Sequence, residues 1–159
     1  MKKLSIIVIS AMLMLASPAI AQMADLPYAG EGFMMLDSSE LVWKDVPSMA
    51  PGAQIAVIEG DLSEATPFTF RLKLPADYTL APHTHPAHER VTVLSGTLHF
   101  AHGEKFDRTK TQALEKGDVA IMAPGLPMFG HTEEETIIQL HGMGPWGIEY
   151  VNPADDPRS

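Results

Sequence analysis

Cysteine is absent from the 159 residues, so no disulfide can brace the fold and no thiol is there to carry a lipid anchor. Positive charge is scarce: eleven lysines and arginines stand against twenty aspartates and glutamates, a net charge of −9 with histidine neutral. No basic patch offsets that balance, which argues against nucleic acid or an anionic membrane surface as a partner. Long apolar runs are missing as well. The stretch Leu4 to Leu15 falls short of the ~20 residues that cross a bilayer as a helix. There is no internal repeat, no low-complexity segment and no sustained 3.6-residue period that would announce a long helix.

What the first residues do contain is the pattern of a secretory signal. Lys2 and Lys3 precede the apolar stretch, and Ala19-Ile20-Ala21 supplies a small-x-small cleavage site. Cleavage is expected after Ala21, making 1–21 a signal peptide and the mature protein periplasmic or extracellular, with no membrane attachment left. Removal of 1–21 takes two basic residues and no acidic one, leaving 138 residues with a net charge of −11. A chain of that length fits one domain and buries roughly two-thirds of its unfolded surface, enough for a core without covalent staples.

Residues 22–39 show no clear period and read as an irregular arm, with a short strand expected near Phe33-Met34-Met35. From there the signals are of short strands. Leu41 to Val46, Gln54 to Glu59, Val119 to Met122, Thr136 to His141 and Gly147 to Val151 are strand candidates, and Phe68 to Leu74 alternates cleanly with Phe68, Phe70, Leu72 and Leu74 on one face. Arg90 to Leu94 and Thr97 to Ala101 flank Ser95-Gly96 as a hairpin. Gly103 to Gln112 reads as a polar loop with a helical turn at most, and 152–159 as a surface tail. Many short strands with turn signals at close intervals predict an all-β sandwich or barrel over residues 40–151.

Within it, Pro82 to Gly96 (PHTHPAHERVTVLSG) carries the chemistry. Side chains at i and i+2 of a strand share a face, so His83 and His85 can aim at one point, and Glu89 has the same parity. Neutral imidazoles with a carboxylate are ligands for a first-row divalent metal. His88 and Arg90 have the opposite parity. His99 and His102 read as structural histidines, and Phe70, Leu72, Val91, Val93, Trp43 and Trp146 as core.

The run His83-x-His85-xxx-Glu89-xxxxxx-Gly96 resembles the first motif of the cupins, small jelly-roll β-barrels with a central metal. Gly117-Asp118 with Gly125-Leu126-Pro127 resembles their second motif, and the fuller sequence is similar to small secreted cupin-domain proteins that mostly lack an assigned reaction. The resemblance implies a single-domain cupin-type jelly roll in which His83, His85 and Glu89 bind one divalent transition metal: Fe, Mn, Ni, Co or Zn. It departs from the pattern twice. Asp77 stands where the first motif begins with glycine, and Met128 stands where the second motif has its metal histidine.

Three readings of the fourth position stay open. Met128 is apolar lining beside an open, solvent-filled position, or it ligates through its thioether, or a nearby histidine substitutes. The candidates for substitution are His131 and His141, the latter sharing parity with Gln139. Met128, Gln139, Phe70 and Val93 are expected on the pocket wall. The functional expectation is a metal-dependent enzyme on a small organic molecule, with an oxygenase as first choice and its catalytic residues unassigned. The alternative is a non-catalytic binder whose metal is structural or grips an anionic ligand. A homodimer through the 22–39 arm is the expected assembly.

Overall fold

The computed structural model describes Tyr28 and residues 30–159; the signal peptide and the first part of the arm expected from sequence lie outside them. Among these residues, eleven strands build two sheets. One contains, in spatial order, β1 (Lys44–Asp45), β2 (Gln54–Glu59), β3 (Pro67–Leu74), β10 (Thr136–Met143), β5 (Glu89–Ser95) and β8 (Val119–Met122). The other contains β11 (Glu149–Tyr150), β4 (Thr79–Thr84), β9 (Met128–Thr132), β6 (Leu98–His102) and β7 (Gln112–Leu114). Every pair of neighbouring strands is antiparallel. The fold is a jelly roll, and the described residues are all-β apart from three single-turn 3₁₀ segments. Among the described residues, no helix is long and apolar enough to cross a membrane.

The alternation in the sequence decides which faces meet. In β3, Phe68, Phe70, Leu72 and Leu74 are buried and Thr69, Arg71 and Lys73 are half-buried. Strand register stacks these positions into rows across three strands: Val91, Leu140 and Phe70 in one, Val93, Ile138 and Leu72 in the next. Each such side chain taken fully from water contributes about 1.5–3 kcal/mol, and the rows form the centre of one continuous core.

Two backbone positions in the left-handed region frame the metal motif. Gly96 (φ 71°) turns the hairpin between β5 and β6, where a Cβ would meet the Glu135 carbonyl oxygen at 2.5 Å. Asp77, in the turn from β3 to β4, takes φ 58°. The missing motif glycine has thus been replaced without changing the backbone region the turn requires, at the steric cost a Cβ incurs there.

Several sequence expectations need correcting. Phe33-Met34-Met35 forms no strand; Phe33 and Met35 are 85% and 81% exposed and have no pairing partner to order them. Strands β7 and β9 have no counterpart among the expected ranges, and β4 is expected only through the strand parity of His83 and His85. All five residues of β9 are buried: one face lies inside, and on the other Phe106, from the loop between β6 and β7, packs on Phe129 (ring centroids 5.6 Å apart) and His131 (6.2 Å). A strand covered on both faces shows no polar alternation to read.

Candidate metal centre

His83 is the penultimate residue of β4, His85 follows immediately after its end, and Glu89 is the first residue of β5. These strands belong to different sheets, so the chain crosses from one layer to the other over Pro86 to His88. Shared strand parity is therefore not what gathers the three groups. The sheet crossing brings Glu89 back towards the histidines, with its Oε1 3.5 Å from His85 Nε2.

A bulge sets His83. Leu80 pairs with Gly130 and His83 with Met128, so three steps along β4 match two along β9. Without the extra residue, Leu80 and His83 would face opposite sides; with it, both line the same cavity. Pro82 sits in this irregular stretch, where a residue without an N–H is tolerated.

Both imidazoles are held by carbonyls. His83 Nδ1 donates to Ala81 O and His85 Nδ1 to Gly147 O, each at 2.6 Å. A carbonyl only accepts, so each Nδ1 carries the proton and each Nε2 keeps its lone pair. Trp146 lies flat on His85, centroids 4.0 Å apart and planes within 18°. His85 is thus clamped by face and edge from one short segment, Trp146-Gly147. Two buried atoms here lack any hydrogen-bond partner, His85 Nε2 and Glu89 Oε2. Burial, followed for His85 by its neighbour His83, pushes both imidazoles below their ordinary range, His85 to about 3. Burial alone raises the Glu89 carboxyl to about 8. Neutral imidazoles with carbonyl-anchored Nδ1 groups and a buried carboxyl with an unpartnered oxygen are what a divalent cation needs of a protein. The residues fit the metal.

A cavity of about 170 Å³ adjoins these groups. Phe70 and Leu140 lie on its wall with Leu72 and Ile138 beyond them, while Leu98 and Phe100 face in from the other sheet and Trp146 stands beside His85. The Val46–Met49 turn completes the wall. It is tied down by Tyr150, whose hydroxyl donates to Ser48 O at 2.9 Å, and by Tyr78, whose hydroxyl donates to Ala50 O at 2.6 Å.

A family profile described as ChrR Cupin-like domain matches residues 31–109. Among solved structures, the polyketide cyclase RemF from Streptomyces resistomycificus matches with a TM-score of 0.66 at 14% identity, over 80% of this chain and 91% of that one. The chain belongs to the cupin superfamily. KdgF from Halomonas sp. matches at 0.54 and 18% identity, covering 69% and 93%. Salicylate 1,2-dioxygenase from Pseudoaminobacter salicylatoxidans, in complex with gentisate, matches at 0.52 and 18%, covering 64% of this chain and 30% of that one. No curated protein sequence matches the cupin described here.

The remaining expectations of this cupin's site divide. Phe70 is on the cavity wall; Met128, Gln139 and Val93 are not. Met128 is fully buried in the core directly opposite His83, and Val93 is likewise core. Gln139 and His141 do share a face, but it is the outer one: Gln139 Oε1 accepts from Arg71 Nε at 3.1 Å and His141 is exposed. The apolar partners on β10, Ile138 and Leu140, take the inner face, the ordinary outcome of alternation on a strand with one buried side. His141 therefore does not reach the centre.

His131 faces outwards as well and joins a second His/Glu group. His99, His131 and Glu133 can offer ligand atoms all within 4.8 Å of one another, a closer set than His83, His85 and Glu89. His99 and His131 are direct cross-strand partners, their rings stacked at 4.6 Å and 13°. His131 is buried under Phe106, with Nδ1 unpartnered and Nε2 3.8 Å from Glu133 Oε1. Nearly parallel rings carry their in-plane lone pairs side by side, whereas a shared ion needs them to converge. The inner set has anchored imidazoles and a cavity beside it; the outer set has neither.

Sequence reasoning missed Trp146 and Gly147 as parts of the centre, having placed Trp146 in the core. The only signal was proximity to the expected final strand.

Proposed function

We propose that His83, His85 and Glu89 hold one divalent transition metal and that the protein is a metal-dependent enzyme acting on a small organic molecule in the adjoining cavity, with oxygenase chemistry the first choice. The carrying observation is the pair of buried imidazoles, each anchored through Nδ1 to a carbonyl, beside a buried carboxyl group whose Oε2 has no hydrogen-bond partner. A metal with three protein ligands keeps open positions and would supply Lewis acidity and, if redox-active, a means of handling oxygen. The chain's own residues do the rest. Trp146 and the Gly147 carbonyl hold the His85 ring in place, Glu89 offsets ionic charge, and the apolar wall excludes water from the reacting group. The salicylate dioxygenase among the structural relatives supports the oxygenase choice by analogy of fold alone.

Elemental analysis of purified protein, followed by oxygen uptake against a panel of small phenols and diketones, tests this reading. Stoichiometric metal lost in His83→Ala supports it; no metal in wild type, with His83→Ala neutral in stability, defeats it. A second reading has its own observation. Apart from His83, His85 and Glu89, no titratable side chain among the described residues lines the cavity, so none of them offers a separate general acid or base, as in a binder without turnover. Zinc with no turnover would favour it.

We further propose export with cleavage after Ala21, tested by intact mass of the secreted protein, and a homodimer through the arm, whose Phe33 and Met35 are largely exposed. A monomer by light scattering at micromolar concentration would remove the latter.

A further inference from the structure

The cavity wall is polar at one end only. Strand register grades it: Leu140 and Phe70 lie level with Val91, two residues from Glu89, and Ile138 and Leu72 lie level with Val93, four residues from it. At about 3.3 Å per residue, the first row stands roughly 7 Å and the second roughly 13 Å along the strand from the Glu89 backbone. Among the described residues no lysine or arginine lines any part of the cavity, and beyond the histidines, Glu89 and the Trp146 indole the only polar side chain is Ser48. The volume, about 170 Å³, compares with the ~150 Å³ apolar cavity known to admit benzene.

We infer that the ligand is a single-ring-sized molecule with one oxygen function directed at His85 and Glu89 and an uncharged, apolar body, and that the site rejects molecules carrying a second, distal anionic group. This rests on the metal-centred reading for the oxygen-binding end and deepens it to a substrate class. The physical reason is asymmetric. A phenol-like or enol-like oxygen finds Glu89, or the proposed metal, at the polar end. A carboxylate on the far side of a single ring finds Phe70 and Leu140, with Leu72, Ile138 and Leu98 beyond them, and a buried charge without a partner is among the most unfavourable arrangements a protein interior offers. The anionic ligand considered from sequence for a non-catalytic binder is disfavoured for the same reason, unless its charge is the group at the metal.

The test is a matched pair of probes, p-cresol and 4-hydroxybenzoate, which share the phenol and differ in a distal methyl or carboxylate. Affinities are measured by calorimetry at pH 7 on protein whose metal content has been determined. The expected result is binding of p-cresol and at least ~100-fold weaker binding of 4-hydroxybenzoate. Leu72→Arg, which places a cation at the far end, should narrow that gap by at least ~10-fold; if this variant does not fold, the wild-type ratio alone decides. Affinities within threefold of one another in wild type, or no p-cresol binding, would overturn the inference. The two readings fail separately. Stoichiometric metal without the preference rejects the substrate class, whereas the preference without metal rejects the metal centre and leaves the cavity's selectivity standing.

Discussion

Glu89 gives the metal proposal a quantitative signature. Burial holds its carboxyl at about 8 in the metal-free fold, whereas the same group titrates at 4.5 when unperturbed. Metal binding needs the carboxylate, so below pH 8 each ion taken up must expel one proton, while His83 and His85, kept neutral by burial, release none above their lowered pKa values. Apparent affinity should therefore rise nearly tenfold per pH unit from pH 6 to about pH 7.5, flatten near 8, and span close to ~100-fold between pH 6 and 9. Competition with a chromogenic chelator across that range measures it, and calorimetry in two buffers of different ionisation enthalpy counts the proton. Glu89→Gln should bind more weakly everywhere and lose the slope. Stability carries the same information with opposite sign. Because the folded pKa lies above the unfolded one, the penalty from Glu89 is absent below pH 4.5, grows as pH rises and levels off above 8, reaching on the order of 5 kcal/mol. Metal-free Glu89→Gln should then be more stable than metal-free wild type at pH 8.5, and the order should reverse when metal is added. A wild-type affinity indifferent to pH between 6 and 8, or an unchanged slope in Glu89→Gln, would refute the assignment.

Removing the plate on His85 with Trp146→Ala should weaken metal binding by ~10–100-fold, as loss of groups orienting a ligand generally does, with Trp146→Phe restoring most of it in the same chelator assay. Gly96→Ala combines a positive φ with a Cβ at 2.5 Å from a carbonyl oxygen and should lower stability in urea denaturation by roughly 3 kcal/mol or more. Asp77→Gly should instead raise it by about 1 kcal/mol, relieving the left-handed backbone at φ 58°. His141→Ala should leave metal content unchanged by elemental analysis, since the residue is exposed on the outer face.

The motif residues were legible because their chemistry survives in one dimension: two imidazoles, a carboxylate and a closing glycine at fixed spacing. The strands with one wet face were legible for a similar reason, and β2 and β8 coincide with the expected ranges end to end. What could not be read depended on a second layer. Alternation on β10 separates Gln139 and His141 from Ile138 and Leu140 but does not say which pair is inside until the partner sheet is known. Counting parity from His83 gave the right gathering of Glu89 by the wrong route, because the sheet crossing at Pro86 to His88 interrupts the count. The bulge at Ala81-Pro82 shifts parity again, and only the β9 register reveals it. The carbonyls of Ala81 and Gly147 leave no trace in a side-chain pattern, although they fix both tautomers.

A metal at this centre would join two sheets yet close only the short loop from His83 to Glu89. In space it is a cross-link between layers; along the chain it is a local clip. Loop closure over so few residues removes little entropy from the unfolded chain, so such an ion would not stand in for the absent disulfides in the way a long-range bridge could. The unfolded segment already keeps His83, His85 and Glu89 near one another and can itself capture the ion, which subtracts from the stabilisation that binding to the folded state alone would bring.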